Sequence, residues 1–247
     1  MNKRICFTIA DQNNLQYAEK MINSLRKFHS EKELPMVVIG PDKLKEILPK
    51  DPMFFYRATP IIAKDLWNQG YDTIIKIDSD SIITSDLSHT WSDEFDVGVV
   101  NNSNPREMKR QEVNVWNIHP LSYVNCGYVV MKSERFINHW FNLCNSFHFD
   151  FYQYKEQDLL NIMVFYMDFK VAFLDRGNKW NGLISKGYWP QIELRKDKLV
   201  LPKNDEWGQE DKEICVLHWA GGNQPDKLNF KIHFKPEVAK WLEKLTK

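Results

Sequence analysis

Residues 74–83 read Ile-Ile-Lys-Ile-Asp-Ser-Asp-Ser-Ile-Ile. An apolar run of this kind is a buried strand, and it ends in two acids one residue apart. A carboxylate is costly to bury without a partner, so acids at the mouth of a core strand want a cation. Asp78 and Asp80 can reach one side of a loop, because residues i and i+2 share a face in extended chain. All-oxygen ligands suit a hard ion such as Mg²⁺ or Mn²⁺. Open α/β folds also bind ligands at the carboxyl ends of their strands. The stretch is a candidate metal–phosphate site. Asp-x-Asp alone is also a common turn or helix cap.

The rest of the chain alternates strand and helix. Residues 3–9 read as a first strand, and Leu15, Ala18, Ile22, Leu25 and Phe28 recur at helical spacing over 14–29. Met36–Ile39 is a short strand, and Pro41 opens a short helix. Thr59-Pro60 predicts a helix through about Gln69, stopped by Gly70. Strands follow over 73–77, 96–100 and 123–131, helices over 134–147 and 155–166, late strands over 170–174 and 214–219, and a last helix from Pro236. Residues 101–111, with Pro105, lack periodicity and read as a surface loop. The pattern predicts an α/β fold: one domain over residues 1–247 with a mostly parallel, mixed central sheet flanked by helices.

Composition narrows the partners. Formal net charge is zero, so no general nucleic-acid footprint exists and a nucleotide would need a metal and local cations. Four cysteines (Cys6, Cys126, Cys144, Cys215) show no Cys-x-x-Cys spacing and read as free thiols of a reducing compartment. Residues 1–12 supply no signal-peptide core, and no stretch approaches a transmembrane span. A cytoplasmic location is the expectation. The tail from Lys227 to Lys247 interleaves lysines with Phe230, Phe234, Trp241 and Leu245. It reads as an amphipathic helix packed on the domain, with peripheral contact to an anionic membrane as the other reading; Glu237 and Glu243 favour the first. Oligomeric state stays open, a homodimer included.

Four further motifs carry chemistry. Asn125-Cys126-Gly127 lies in a strand, where Gly suggests a close approach or a bulge, and Asn offers a donor and an acceptor to hydroxyls. Glu156, Gln157 and Asp158 fall at a helix N-terminus, where acids also complement the dipole. His218 ends a strand before Gly221-Gly222, so it is a candidate metal ligand or simply a hydrogen-bonded histidine. The glycines leave backbone N–H groups for a phosphate. The first strand exits through Thr8-Ile9-Ala10-Asp11, either a nucleotide contact or an Asx turn.

Strand–Asp-x-Asp, Asn-x-Gly, acid-Gln before Leu-Leu-Asn, and His-x-x-Gly, in that order over about residues 3–226, resemble the retaining GT-A glycosyltransferases of the glycogenin and galactosyltransferase type, family eight. The resemblance implies that Asp78, Asp80 and His218 hold Mn²⁺ or Mg²⁺ between the phosphates of a UDP-sugar. It implies that Asn125, Gly127, Glu156 and Gln157 line the donor-sugar pocket, with Gln157 beneath the anomeric carbon, and Gln157, Glu156 and Asp158 are the catalytic candidates. Thr8, Ala10 and Asp11 would contact uridine, with Asp78 and Ser79 near the ribose and diphosphate. Either Arg57 or Lys64 would face the diphosphate, together with Gly221, and Lys227, outside the family pattern, is a candidate replacement for the cation missing at Gln224. Residues 1–131 would carry mainly nucleotide and metal, residues 132–247 mainly donor sugar and acceptor: a glycan, protein or lipid.

Four positions depart from that pattern. Gln224 and Asp226 stand where the family has Lys and Trp, with Pro225 matching; Glu156 replaces the more usual Asp; and the early uracil-stacking Tyr aligns closer to Asn14 than to Tyr17. Gln157 is a poor nucleophile and Glu156 a better one, and same-face attack through an oxocarbenium-like state is the favoured route. A sugar nucleotidyltransferase is a second reading. It predicts a Gly-rich phosphate loop after the first strand, which Asp11-Gln12-Asn13-Asn14 does not provide. A non-catalytic carbohydrate-binding protein is a third. Trp116, Trp180 and Trp189 are candidate acceptor stackers or ordinary core residues.

Overall fold

A computed structural model describes residues 3–47, 54–101, 118, 122–152, 154–175, 179–183, 186–203, 210–218 and 229–247, with backbone alone for 54–55, 147–148, 180–183 and 186–188. Two sheets meet along one seam. The larger has six strands in the order β2 (Met36–Ile39), β1 (Arg4–Ile9), β3 (Thr73–Ile77), β6 (Val124–Met131), β5 (Val97–Asn101) and β7 (Val171–Phe173). β2, β1 and β3 run parallel, β6 reverses, and β5 and β7 are parallel to each other. The smaller sheet orders β4 (Ser81–Ile83), β11 (Lys212–His218), β10 (Lys198–Leu201) and β9 (Glu193–Arg195), with β8 (Lys179–Leu183) on β11.

Strand alternation sorts side chains between two cores. Ile5, Phe7, Ile74, Val129 and Met131 pack against helices α3 (Phe54–Asn68), α4 (Glu134–Cys144) and α5 (Glu156–Tyr166). Cys6, Ile75, Ile77, Tyr128 and Val130 face Met21 and Leu25 of α1 (Leu15–Leu25) and reach Ile83 and Val216 of the smaller sheet. A short α2 (Pro41–Ile47) follows β2, with Leu44 buried. β3 is buried at every position, as a strand covered on both faces must be.

The last helix, α6 (Pro236–Leu245), closes a third core. Val238, Ala239, Leu242 and Leu245 bury against Phe230, Phe234, Ile82, Leu199 and Leu217. The apolar face of the tail therefore covers the smaller sheet, as the packed-helix reading expects. No helix among the described residues is long and apolar enough to cross a membrane. All four cysteines are free and buried.

Two expectations need correction. α3 starts at Phe54, so Pro60 sits inside the helix instead of opening it. The smaller, largely antiparallel sheet is unanticipated except for β11, because its other strands are only three to five residues long and all but the three-residue β4 (Ser-Ile-Ile) carry charged residues. The β9–β10 turn runs through Lys196 (φ 49°) and Asp197 (φ 62°), a hairpin geometry usually signalled by Asn-Gly.

Candidate active site

The chain crosses from one sheet to the other through Asp78-Ser79-Asp80. The Asp78 N–H donates to Gly127 O at 2.8 Å, continuing the β3–β6 ladder, and Ser81 N–H donates to Asp78 O at 3.1 Å, closing the turn. β4 then pairs antiparallel with β11, which sets His218 opposite Ser81. That register carries the imidazole to the acids. His218 Nε2 lies 3.3 Å from Asp78 Oδ2 and 3.2 Å from Asp80 Oδ1. One ligand atom from each of the three residues falls within 4.8 Å of the others.

The site fits a divalent cation on its own chemistry. Two carboxylate oxygens and one imidazole nitrogen converge, a donor set that can hold a divalent cation. His218 is 3% exposed. Gly127 makes its seat: a Cβ there would lie 2.6 Å from Asn125 Oδ1 and would press still harder on the His218 ring.

A buried lysine completes the cluster, one that sequence reading passes over. Lys76 shares the face of Ile74 and Asp78, is 4% exposed, and donates to Asp78 Oδ1 and to Cys126 O, the latter at 2.6 Å. The charges respond accordingly. Burial would raise Asp78, but the Lys76 charge and the His218 hydrogen bond outweigh it and hold the carboxyl well below the usual range. Burial would lower His218, but hydrogen bonds to Asp78 and Asp80 raise it to about 9.

Beside this cluster, α5 begins at a strained residue. Lys155 takes φ 49° and ψ −118°, a region that side chains disfavour, and the next residues are Glu156, Gln157 and Asp158. Gln157 Oε1 accepts from Cys126 N–H at 3.0 Å and from Asn125 Nδ2 at 3.2 Å. A backbone N–H can only donate, so the amide orientation is settled, and Nε2 faces the Tyr123 hydroxyl at 3.3 Å. Tyr123 donates to Asp158 Oδ1 at 2.6 Å, while Asp158 Oδ2 accepts from Tyr154 N–H at 2.8 Å. Asn161 accepts from Val124 N–H and donates to Val124 O and Gln157 O. Asp158 and Asn161 thus pin the elbow. Glu156 Oε2 is buried without a hydrogen bond, and burial raises that carboxyl to about 8 against the pull of Lys76.

Other expected residues fall in several places. Thr8 and Ala10 are buried at the end of β1, with Thr8 Oγ1 unbonded. Asp11 Oδ1 accepts from the Asn14 N–H and Nδ2, both at 2.8 Å, which is the Asx-turn arrangement. Arg57 lies over Phe149 at 4.4 Å and 3.8 Å from Asp150, near the start of α5. Lys64, about two turns further along α3, sits over Phe141 of α4 at 4.2 Å. Ser79 is buried within the turn. Trp189 stacks on Phe234 in the core under the smaller sheet. Trp116, Gly221, Gly222, Gln224, Pro225, Asp226 and Lys227, and the side chain of Trp180, lie outside the described residues.

No protein-family model matches the chain. No curated protein matches it in sequence. Solved structures do. The galactosyltransferase LgtC, in complex with donor and acceptor sugar analogues, superposes with a TM-score of 0.60 at 14% identity, covering 98% of this chain and 95% of LgtC. The chain has the GT-A glycosyltransferase fold. A second LgtC structure, an active-site glutamine-to-glutamate mutant, shares that fold with a TM-score of 0.56 at 14% identity, over 96% of this chain and 99% of LgtC. The bifunctional glycosyltransferase WbbM matches with a TM-score of 0.58 at 16% identity, over 99% of this chain and 52% of its own, so the chain spans about half of WbbM. GlyE of Streptococcus pneumoniae TIGR4 matches with a TM-score of 0.55 at 13% identity, over 99% of this chain and 61% of its own. In this GT-A fold, Asp78, Asp80 and His218 stand where the two sheets join.

Proposed function

We propose that the protein is a metal-dependent glycosyltransferase. It moves a sugar from a nucleotide-diphosphate sugar, UDP-sugar foremost, to a glycan, protein or lipid acceptor with retention of configuration. The observation that carries this reading is the convergence of Asp78, Asp80 and His218 at the sheet junction of a GT-A fold.

Asp78, Asp80 and His218 would hold Mn²⁺ or Mg²⁺. Such an ion, acting as a Lewis acid, stabilises the negative charge of a departing diphosphate. The protein's own groups do the rest. Gln157, locked by Cys126 and Tyr123, presents a fixed amide dipole to the donor sugar. Asn125 offers its side chain from the adjoining strand. Arg57, rather than Lys64, stands on the side of α3 nearer this helix start and supplies a local cation. Same-face attack needs no protein nucleophile, which agrees with an amide at Gln157 and with Asp158 engaged by Tyr123 and Tyr154. The Glu156 carboxyl, raised to about 8, is mostly protonated at neutral pH and correspondingly weak as a nucleophile.

The test is calorimetric titration with UDP, GDP, ADP and CDP, in Mn²⁺ and again in EDTA. Binding of one diphosphate that vanishes in EDTA supports the reading and names the base. No binding of any diphosphate in either buffer overturns it. Hydrolysis or transfer from the matching nucleotide sugar then separates an enzyme from a binding protein.

A further inference from the structure

A charged residue in the middle of a strand buried on both faces needs a reason, because desolvating an ammonium is expensive. Lys76 is such a residue. Its neighbours in β3 are Ile74, Ile75 and Ile77, all fully buried. Its side chain runs on the face covered by α3, α4 and α5, and its ammonium ends between two acceptors, Asp78 Oδ1 and Cys126 O. Neither acceptor is free to move away. Cys126 O belongs to the backbone of β6, whose N–H at the same residue is held by Gln157 at 3.0 Å. Asp78 is fixed by its own N–H on Gly127 O.

Asp78 therefore has two unlike oxygens. Oδ1 is bound to Lys76. Oδ2 faces the His218 Nε2 at 3.3 Å, and that nitrogen is 3.2 Å from Asp80 Oδ1. We infer that Lys76 is a positioning residue for the cation: it withdraws Asp78 Oδ1 from the ligand set, aims Oδ2 at the ion, and weakens the site for a divalent ion standing alone. The inference rests on the reading of Asp78, Asp80 and His218 as the ligands. Its physical basis is simple. A carboxylate oxygen already hydrogen-bonded to an ammonium has one lone pair and part of its charge committed, so chelation through both oxygens is disfavoured. A fixed positive charge on the far side of a ligand repels the incoming ion, and it does so strongly where water is excluded. Removing the ammonium restores a full negative charge and a second donor oxygen.

The experiment is titration of Mn²⁺ alone, without nucleotide, into chelator-treated wild-type protein and Lys76→Met. Methionine keeps the unbranched shape of the buried stem. The expected result is Mn²⁺ binding at least about tenfold tighter in K76M, from the lost like-charge repulsion. Lys76→Arg keeps the charge and should stay within about threefold of wild type. Equal or weaker Mn²⁺ binding by a folded K76M overturns the inference and leaves the ligand assignment standing. Failure of the wild type to bind Mn²⁺ overturns both. Should K76M not fold, a crystal structure of the wild-type protein with Mn²⁺ decides. Asp78 bound through Oδ2 alone, with Oδ1 still on Lys76, supports the inference. Chelation through both oxygens, or a displaced Lys76, overturns it.

Discussion

Gly127 and His218 are paired by space: the imidazole of one fills the volume where a side chain of the other would begin. The two residues lie on different sheets, and the fit is what lets β11 deliver its last residue to Asp78 and Asp80. Gly127→Ala should force the ring outward. We expect Mn²⁺ affinity to fall about tenfold or more, the range seen when ligand-orienting neighbours are lost. Overpacking should cost about 1–3 kcal/mol in denaturant unfolding. Unchanged Mn²⁺ affinity would mean that the ring is not a ligand.

Metal affinity should depend steeply on pH. In the metal-free chain burial opposes the His218 charge, but the two acids raise the group to about 9, so it carries a proton at neutral pH. A cation must displace that proton. Mn²⁺ binding should therefore strengthen by about tenfold per pH unit as pH rises toward 9 and level off above it. Titrations at pH 6.5, 7.5 and 8.5 check this, and a flat profile excludes His218 from the ligand set.

The Tyr123 hydroxyl joins two residues of α5, donating to Asp158 and accepting from Gln157. Tyr123→Phe leaves a buried carboxylate oxygen short of one donor, at a cost of about 1–3 kcal/mol in stability. It also frees the Gln157 amide on one side. Turnover should fall about tenfold, with the donor KM little changed, because small misplacements at a reacting centre slow chemistry more than binding. Steady-state kinetics on a nucleotide-sugar donor provide the measurement.

Glu156 predicts an opposite pH trend in stability. Burial, the largest influence, lifts its carboxyl from 4.5 to about 8. Between those values the folded chain holds a proton that the unfolded chain has released. Unfolding free energy should therefore decline as pH rises from about 4.5 to about 8, by up to a few kcal/mol, since each tenfold difference in proton affinity between the two states is worth about 1.4 kcal/mol. Glu156→Gln should flatten that decline in EDTA-treated protein and be the more stable form at pH 8.5. Equal stability in urea unfolding at pH 5 and pH 8.5 would place the carboxyl in water.

The elements that sequence reading locates best are those with unbroken apolar runs. β2 and β3 fall at their expected residues because the apolar runs Met36–Ile39 and Thr73–Ile77 leave no alternative to a strand, an edge strand for the first and one buried throughout for the second. Asp78, Asp80 and His218 are legible as candidates from their positions at strand ends. Their convergence is not, because it depends on β4, a strand of only three residues, pairing with the distant β11. Lys76 escapes notice because a lysine in an apolar run reads as an ordinary interruption; its partner Asp78 stands two residues on, where alternation would suggest the pair. Pro60 misleads for a related reason. Proline usually opens a helix, yet here α3 begins earlier and tolerates it.

The passage of the chain between its two sheets has a mechanical side. Asp78-Ser79-Asp80 is the link from β3 to β4, and His218 belongs to the strand that β4 joins. An ion gripped by all three would rivet one sheet to the other. Ligand occupancy and the alignment of the sheets would then be a single equilibrium, so that loosening the hydrophobic seat of β4 and β11, at the buried Ile82 or Leu217, would be felt first as a leaking rivet and only later as unfolding.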